Sequence, residues 1–132
     1  MYNQIAKVFT IIGLLLSIPV LAHHSFTAEF DINRPVKIKG KVTRIEWTNP
    51  HAWFYMDVEG EAGNNKPWAI ELLGLNNLLR QGWTRDKIKP GDTLIVEGFG
   101  ARNGTLTANA SVVIDAESGE QIWGSPAGQQ DQ

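Results

Sequence analysis

The chain has 132 residues, enough for one domain and too few for two. It contains no cysteine, which excludes disulfides, thiolate metal sites and cysteine nucleophiles. A net charge of −2 supplies no basic face for a phosphate backbone, so nucleic acid is not an expected partner.

Residues 1–7 (MYNQIAK) form a short polar start with one positive charge, and residues 8–20 (VFTIIGLLLSIPV) are almost wholly apolar. Val20 and Ala22 then place small residues at the −3 and −1 positions of a cleavage site. This is the layout of a secretory signal peptide, residues 1–22. A membrane anchor is the competing reading, but spanning takes about 20 apolar residues, and this run is shorter and broken by Pro19. No later segment is long and apolar enough to span a membrane. The expected location is therefore periplasmic or secreted, with no membrane span after cleavage. Export would remove Lys7 and no acid, leaving a slightly more acidic domain of roughly 110 residues, large enough to bury a core without staples.

Residues 23–35 (HHSFTAEFDINRP) read as an extended lead-in, with Phe26 and Phe30 able to dock on the domain that follows at 36–124. Residues 36–47 alternate apolar and polar, with a slip of phase between Val42 and Ile45 that a bulge would explain. Gly40 in mid-strand marks a bend where another strand comes close. Thr48-Asn49-Pro50-His51 is turn chemistry. Residues 52–59 (AWFYMDVE) give an aromatic-rich second strand, 60–66 a polar hairpin loop and 67–73 (PWAIELL) a third strand.

The period then changes. Leu75, Leu78 and Leu79 stand at helical spacing, and Gly82 ends a short helix over 75–81. Lys89-Pro90-Gly91-Asp92 makes a tight turn before a fourth strand at 93–101. Asn103-Gly104 signals a hairpin into a fifth strand at 106–114. A last short strand at 120–123 and a polar tail at 125–132, expected to be disordered, complete the chain. Three strands, a helix and two strands make an all-β fold class: a small, OB-fold-like five-stranded barrel with one short helix between strands 3 and 4.

Several blocks carry a resemblance: AHHSFTAEFD (22–31), GKVTRIEWTNPHAWFYMDV (40–58), WAIELLG (68–74), LLRQGWTRD (78–86), KPGDTLIVEGFGAR (89–102) and NASVV (109–113). Together they resemble the DUF6152 family of small exported bacterial proteins of unknown function. The resemblance implies a bacterial, periplasmic setting and an OB-like barrel. It implies no catalytic residue.

Three histidines exist: His23, His24 and His51. Cleavage after Ala22 would make His23 the N-terminal residue. Its α-amine and imidazole could then chelate one metal, and His24 or His51 could add a third nitrogen. Nitrogen donors in tetragonal geometry suit Cu(II) or Ni(II), and copper is the cofactor this set would take. The plainer reading is a solvated terminus and a turn histidine. Trp47, Asn49, His51, Trp53 and Glu71 form a second candidate set, an aromatic surface with a few polar groups on one face of the barrel. Its competing reading is ordinary aromatic core.

Glu71, among apolar neighbours, reads as a buried carboxylate paired with Arg80 or Arg85. Asn103-Gly-Thr105 and Asn109-Ala-Ser111 fit the glycosylation sequon but read as incidental. No triad spacing, phosphate loop or dinucleotide fingerprint occurs. The leading expectation is a non-enzymatic, periplasmic binding or accessory module for a small molecule or protein partner. The alternative is a copper-binding protein, or copper-dependent enzyme, using His23, His24 and His51.

Overall fold

A computed structural model describes residues 26–124. The expected leader, His23, His24 and the polar tail lie outside the described residues. The elements in order are helix α1 (Phe26–Glu29), strands β1 (Phe30–Glu46), β2 (Trp53–Glu59) and β3 (Asn65–Glu71), helix α2 (Leu75–Arg80), and strands β4 (Thr93–Ala101), β5 (Thr107–Asp115) and β6 (Gln121–Gly124).

The strands form one sheet in the order β3-β2-β1-β4-β5-β6, with an additional pairing between β3 and β5. That pairing is parallel, Ala69 to Thr107 through Glu71 to Asn109, whereas the other neighbours are antiparallel. It closes β1, β2, β3, β5 and β4 into a ring of five strands, and β6 extends the sheet beside β5. The fold is mostly β with short helices.

The alternation of β1 turns Val36, Ile38, Gly40 and Val42 inward and leaves Lys37, Lys39 and Lys41 exposed. Its register with β2 shifts between Val42 and Arg44, the slip that the sequence pattern predicts. Gly40 sits opposite Val58, and a Cβ there would stand 2.5 Å from the Asp57 carbonyl oxygen. No side chain fits, so the two strands can approach only at glycine. Phe54, Met56, Ile70, Leu94, Val96 and Val113 fill the interior, all of them nearly or wholly excluded from solvent. Leu78 of α2 joins this core, as its helical spacing requires.

Two features differ from the sequence expectation. Residues 30–35 are not part of a lead-in but the beginning of β1, and residues 26–29 are helical. The reason is tertiary: Phe30 pairs with Ala101 at the end of β4, a partner 71 residues away in the chain. Phe26 and Phe30 do dock, forming a second apolar cluster with Ala101 and Phe99. Their rings stack at 5.7 Å, and Phe26 meets Phe99 edge-on at 5.9 Å. Trp83 and Trp123 close the far side. The Trp83 indole donates to the Ile122 carbonyl at 2.8 Å, and the Trp123 indole donates to Gln81 at 3.0 Å. The two bonds cross and fix β6 against the end of α2.

Candidate functional site

Inward residues of the ring are apolar, so polar residues with buried side chains stand out. Among the described residues two do: Glu71, 2 % exposed, and Asn109, 1 % exposed. Neither belongs to the interior set. Ile70 and Ala108 turn into the ring, and strand alternation turns Glu71 and Asn109 to the outer face. They are direct partners in the parallel β3–β5 pairing, and Trp53 is the partner of Glu71 on β2. Trp53, Glu71 and Asn109 thus form one row across three strands. Phe99, opposite Asn109 on β4, continues the row into the cluster that holds α1.

The Glu71 carboxylate binds the Nδ1 nitrogen of His51 with one oxygen, and its other oxygen accepts from the Asn109 amide at 3.4 Å. Two bonds carry the β2–β3 ladder past its formal end: Leu72 N–H donates to Ala52 and Ala52 N–H donates to Leu73. His51, one step further, comes diagonally beside Glu71. The turn before it is pinned as well. Asn49 Oδ1 accepts from the Leu75 N–H at 3.1 Å at the start of α2, and the Asn49–Pro50 bond is cis. Gly74 lies so close that a Cβ would stand 2.5 Å from the Pro50 carbonyl oxygen. His51 is a quarter exposed, so the pair runs from the buried carboxylate toward solvent.

This corrects the expected partner of Glu71. Arg80 reaches Asn77, and Arg85 lies in the 3-10 turn Arg85–Lys87; the partners that Glu71 takes are His51 and Asn109. The arginines sit at the end of α2 and beyond it, whereas Glu71 faces the row described above. An isolated carboxylate in that position would lose its hydration without return, and the imidazole and amide supply what water no longer can.

Of the five residues in the aromatic candidate set, three come together: His51, Trp53 and Glu71. Asn49 serves the turn and the helix start, and Trp47 packs against the main core. Asn109 was missed as a site residue. Its signal was a polar side chain set between alanines in an otherwise apolar strand. Among the described residues no three His, Asp or Glu side chains converge as a metal-binding group, and His23 and His24 lie outside them.

A cleft of about 460 Å³ opens beside the row. Trp53 and Thr107 form part of its lining, and Arg102, Asn103 and Thr105 of the β4–β5 hairpin face them, with α1 and the start of β1 on the third side. Arg102 holds that third side in place. Its guanidinium donates to the carbonyls of Thr27 and Phe30, both at 3.2 Å, and its backbone N–H donates to Glu29 at 2.8 Å. Two residues beyond Trp53 on β2, Tyr55 donates to Glu46 at 3.1 Å beneath the Arg44 guanidinium. Burial and the Glu46 carboxylate raise its phenol above the ordinary value.

Fold and site together define a small β-domain with a His–Glu–Asn group on the outside of a strand ring, its carboxylate and amide buried and its imidazole partly exposed. Residues 13–110 match the family of unknown function DUF6152, and the chain belongs to that family. No curated protein matches it. Among solved structures, it is similar to the ZRD-deleted mutant of TiaS in complex with agmatine, at 14 % identity and a TM-score of 0.47. That overlap covers 74 % of this chain and 24 % of the other, so the chain spans about a quarter of that protein's length.

Proposed function

We propose that this chain is an exported, non-enzymatic binding or accessory module built on an OB-like five-stranded barrel. The parallel β3–β5 closure and the placement of α2 between β3 and β4 support the OB-like reading. The leader layout supports export to the periplasm or beyond. The observation that carries the binding reading is the cleft beside Trp53. Its lining includes Trp53 together with Asn103, Thr105 and Thr107, whose side chains are joined by hydrogen bonds through the Thr105 hydroxyl. Such a lining fits a small neutral molecule with one apolar face and several hydroxyl or amide groups. Arg102 is engaged with the backbone of α1 and β1, so an anionic ligand is less well served.

The test is a titration of the mature protein with neutral oligosaccharides and short neutral peptides, read by tryptophan fluorescence and by thermal unfolding. One class should shift the emission and raise Tm in the native protein, and both responses should vanish in Trp53→Ala with its circular dichroism unchanged. A response that persists in Trp53→Ala, or silence from both classes, refutes the cleft as the binding site.

A further inference from the structure

The pairing of β1 with β4 is interrupted near its start. Phe30 pairs with Ala101 and Pro35 pairs with Phe99, so residues 31–34 stand against Gly100 alone. The surplus residues form a wide bulge. Ile32, Asn33 and Arg34 are exposed, Ile32 at 62 % despite its apolar side chain. Within the bulge the Asn33 N–H turns back to the Asp31 carboxylate at 2.9 Å, a bond made inside the bulge itself. At Pro35, whose ring fixes φ, regular pairing resumes and continues to Lys41 opposite Thr93.

Residues 26–30, ahead of this bulge, are held to the ring by contacts of their own. Phe26 and Phe30 cluster with Ala101 and Phe99 rather than with the core inside the ring. The Arg102 guanidinium binds the carbonyls of Thr27 and Phe30, its backbone N–H binds that of Glu29, and it stands 3.9 Å from the Asp31 carboxylate. Segments with few buried apolar partners open at lower free energy than the core on which they lie. Phe54, Val96 and Val113 belong to the other cluster, so parting Phe26 and Phe30 from Ala101 leaves the ring interior closed.

We propose that residues 26–30 are a strap that swings on the 31–34 bulge, opening and closing the cleft while the five-strand ring stays folded. Ala28, Glu29 and Phe30 form one wall of that cleft, facing Trp53, Thr107 and the hairpin residues Arg102, Asn103 and Thr105. With the strap down, the cleft has its third side. With it lifted, Ala101 is uncovered and the cleft becomes a two-sided shelf. A molecule that touches both strap and hairpin makes more contacts with the closed form, so its binding and strap closure favour each other. That coupling rests on the binding reading of the cleft. The motion does not, and its test uses no ligand, so it and the Trp53 titration can fail separately.

The chain has no cysteine, so one introduced thiol reports one position. Ala101→Cys places it in the cluster with Phe26 and Phe30, Val113→Cys inside the ring, and Glu117→Cys on the exposed turn before β6. In the folded mature protein, Ala101→Cys should react with a maleimide more slowly than Glu117→Cys but about tenfold or more faster than Val113→Cys, because local opening precedes global unfolding. Urea below the unfolding transition should speed Val113→Cys and leave Ala101→Cys nearly unchanged, since lifting the strap exposes little surface. Adding Arg102→Ala should raise the Ala101→Cys rate about tenfold, as expected for lost hydrogen bonds from a charged donor. Amide exchange of the unsubstituted protein repeats the test without a variant: residues 27–30 should exchange before residues 94–96, with little dependence on urea. Ala101→Cys labelling that matches Val113→Cys in rate and urea dependence overturns the proposal, as does labelling as fast as that of Glu117→Cys. Exchange of residues 27–30 in step with residues 94–96 overturns it as well.

Discussion

Glu71 and His51 meet across a strand end, the carboxylate of the first bound to Nδ1 of the second, although 20 residues separate them in the chain. The carboxylate is buried and the imidazole is a quarter exposed, so the pair leads from a buried charge toward solvent. Removing one member leaves the other desolvated. Glu71→Ala should therefore lower stability by about 1–3 kcal/mol, the cost of unpaired buried groups. In a double-mutant cycle with His51→Ala, urea unfolding should show a coupling of at least about 0.5 kcal/mol. Simple additivity of the two single changes would mean that the contact contributes nothing to folding.

Gly98 is the tightest backbone approach in the ring. A Cβ on it would stand 1.9 Å from the Asn109 carbonyl oxygen and 3.1 Å from the Ala110 Cα. Both neighbours are backbone, so relief requires β4 and β5 to separate beside the register shift between Glu97 and Gly98. Gly98→Ala should cost about 3 kcal/mol, at the upper end of overpacking changes. Gly63→Ala meets no atom within 4 Å and tests backbone conformation alone, since its φ is +75°. A Gly98→Ala protein with an unchanged urea midpoint would contradict the close approach.

Asp115 gives a pH dependence whose sign can be stated. The Ser118 backbone N–H, then its hydroxyl, and then the Glu117 N–H bond the carboxylate and lower it below the ordinary value of 3.8. A group lowered on folding contributes stability that is present above its unfolded value and lost as pH falls through its folded value. Asp115→Asn keeps an acceptor for these donors but not the charge. Its deficit against the native protein should be full at pH 7, begin to shrink as pH falls through the ordinary value of 3.8, and vanish only once pH has passed below the lowered folded value. Chemical denaturation at several pH values measures it, and a deficit that grows on acidification would reverse the sign.

Arg102 fastens α1 and the start of β1 to the β4–β5 hairpin through the Thr27 and Phe30 carbonyls. Arg102→Ala should speed amide exchange over residues 26–34 while leaving residues 93–115 protected. The global loss should stay within about 1–2 kcal/mol, because Phe26 and Phe30 keep their burial against Phe99 and Ala101. Equal acceleration in both segments would show that α1 is not a separately fastened element.

Much of the element order is legible because it rests on local periodicity. Leu75, Leu78 and Leu79 announce α2, the slip after Val42 announces the bulge, and Gly40 announces a close approach that the Asp57 carbonyl confirms. The start of β1 is not legible, since residues 30–35 alternate poorly and become strand only through Phe30 meeting Ala101. The partner of Glu71 is not legible either. Nearby arginines offered the obvious countercharge, and strand alternation turned the carboxylate to a face they do not reach. Asn109 resembled an incidental sequon, and its burial at 1 % exposure is a property of the β3–β5 closure.

The sequence by itself determined the order of three strands, a helix and further strands, the glycine and proline punctuation, and the identity of the few groups able to bind a metal or a ligand. These follow from the 2.0 and 3.6 residue periods and from side-chain chemistry, which act over a few residues. Only the tertiary structure decided that Glu71 faces His51 and Asn109, and that Trp53 lines a cleft beside them. Those contacts join residues 20 and 38 positions apart, and strand register rather than local preference selects them.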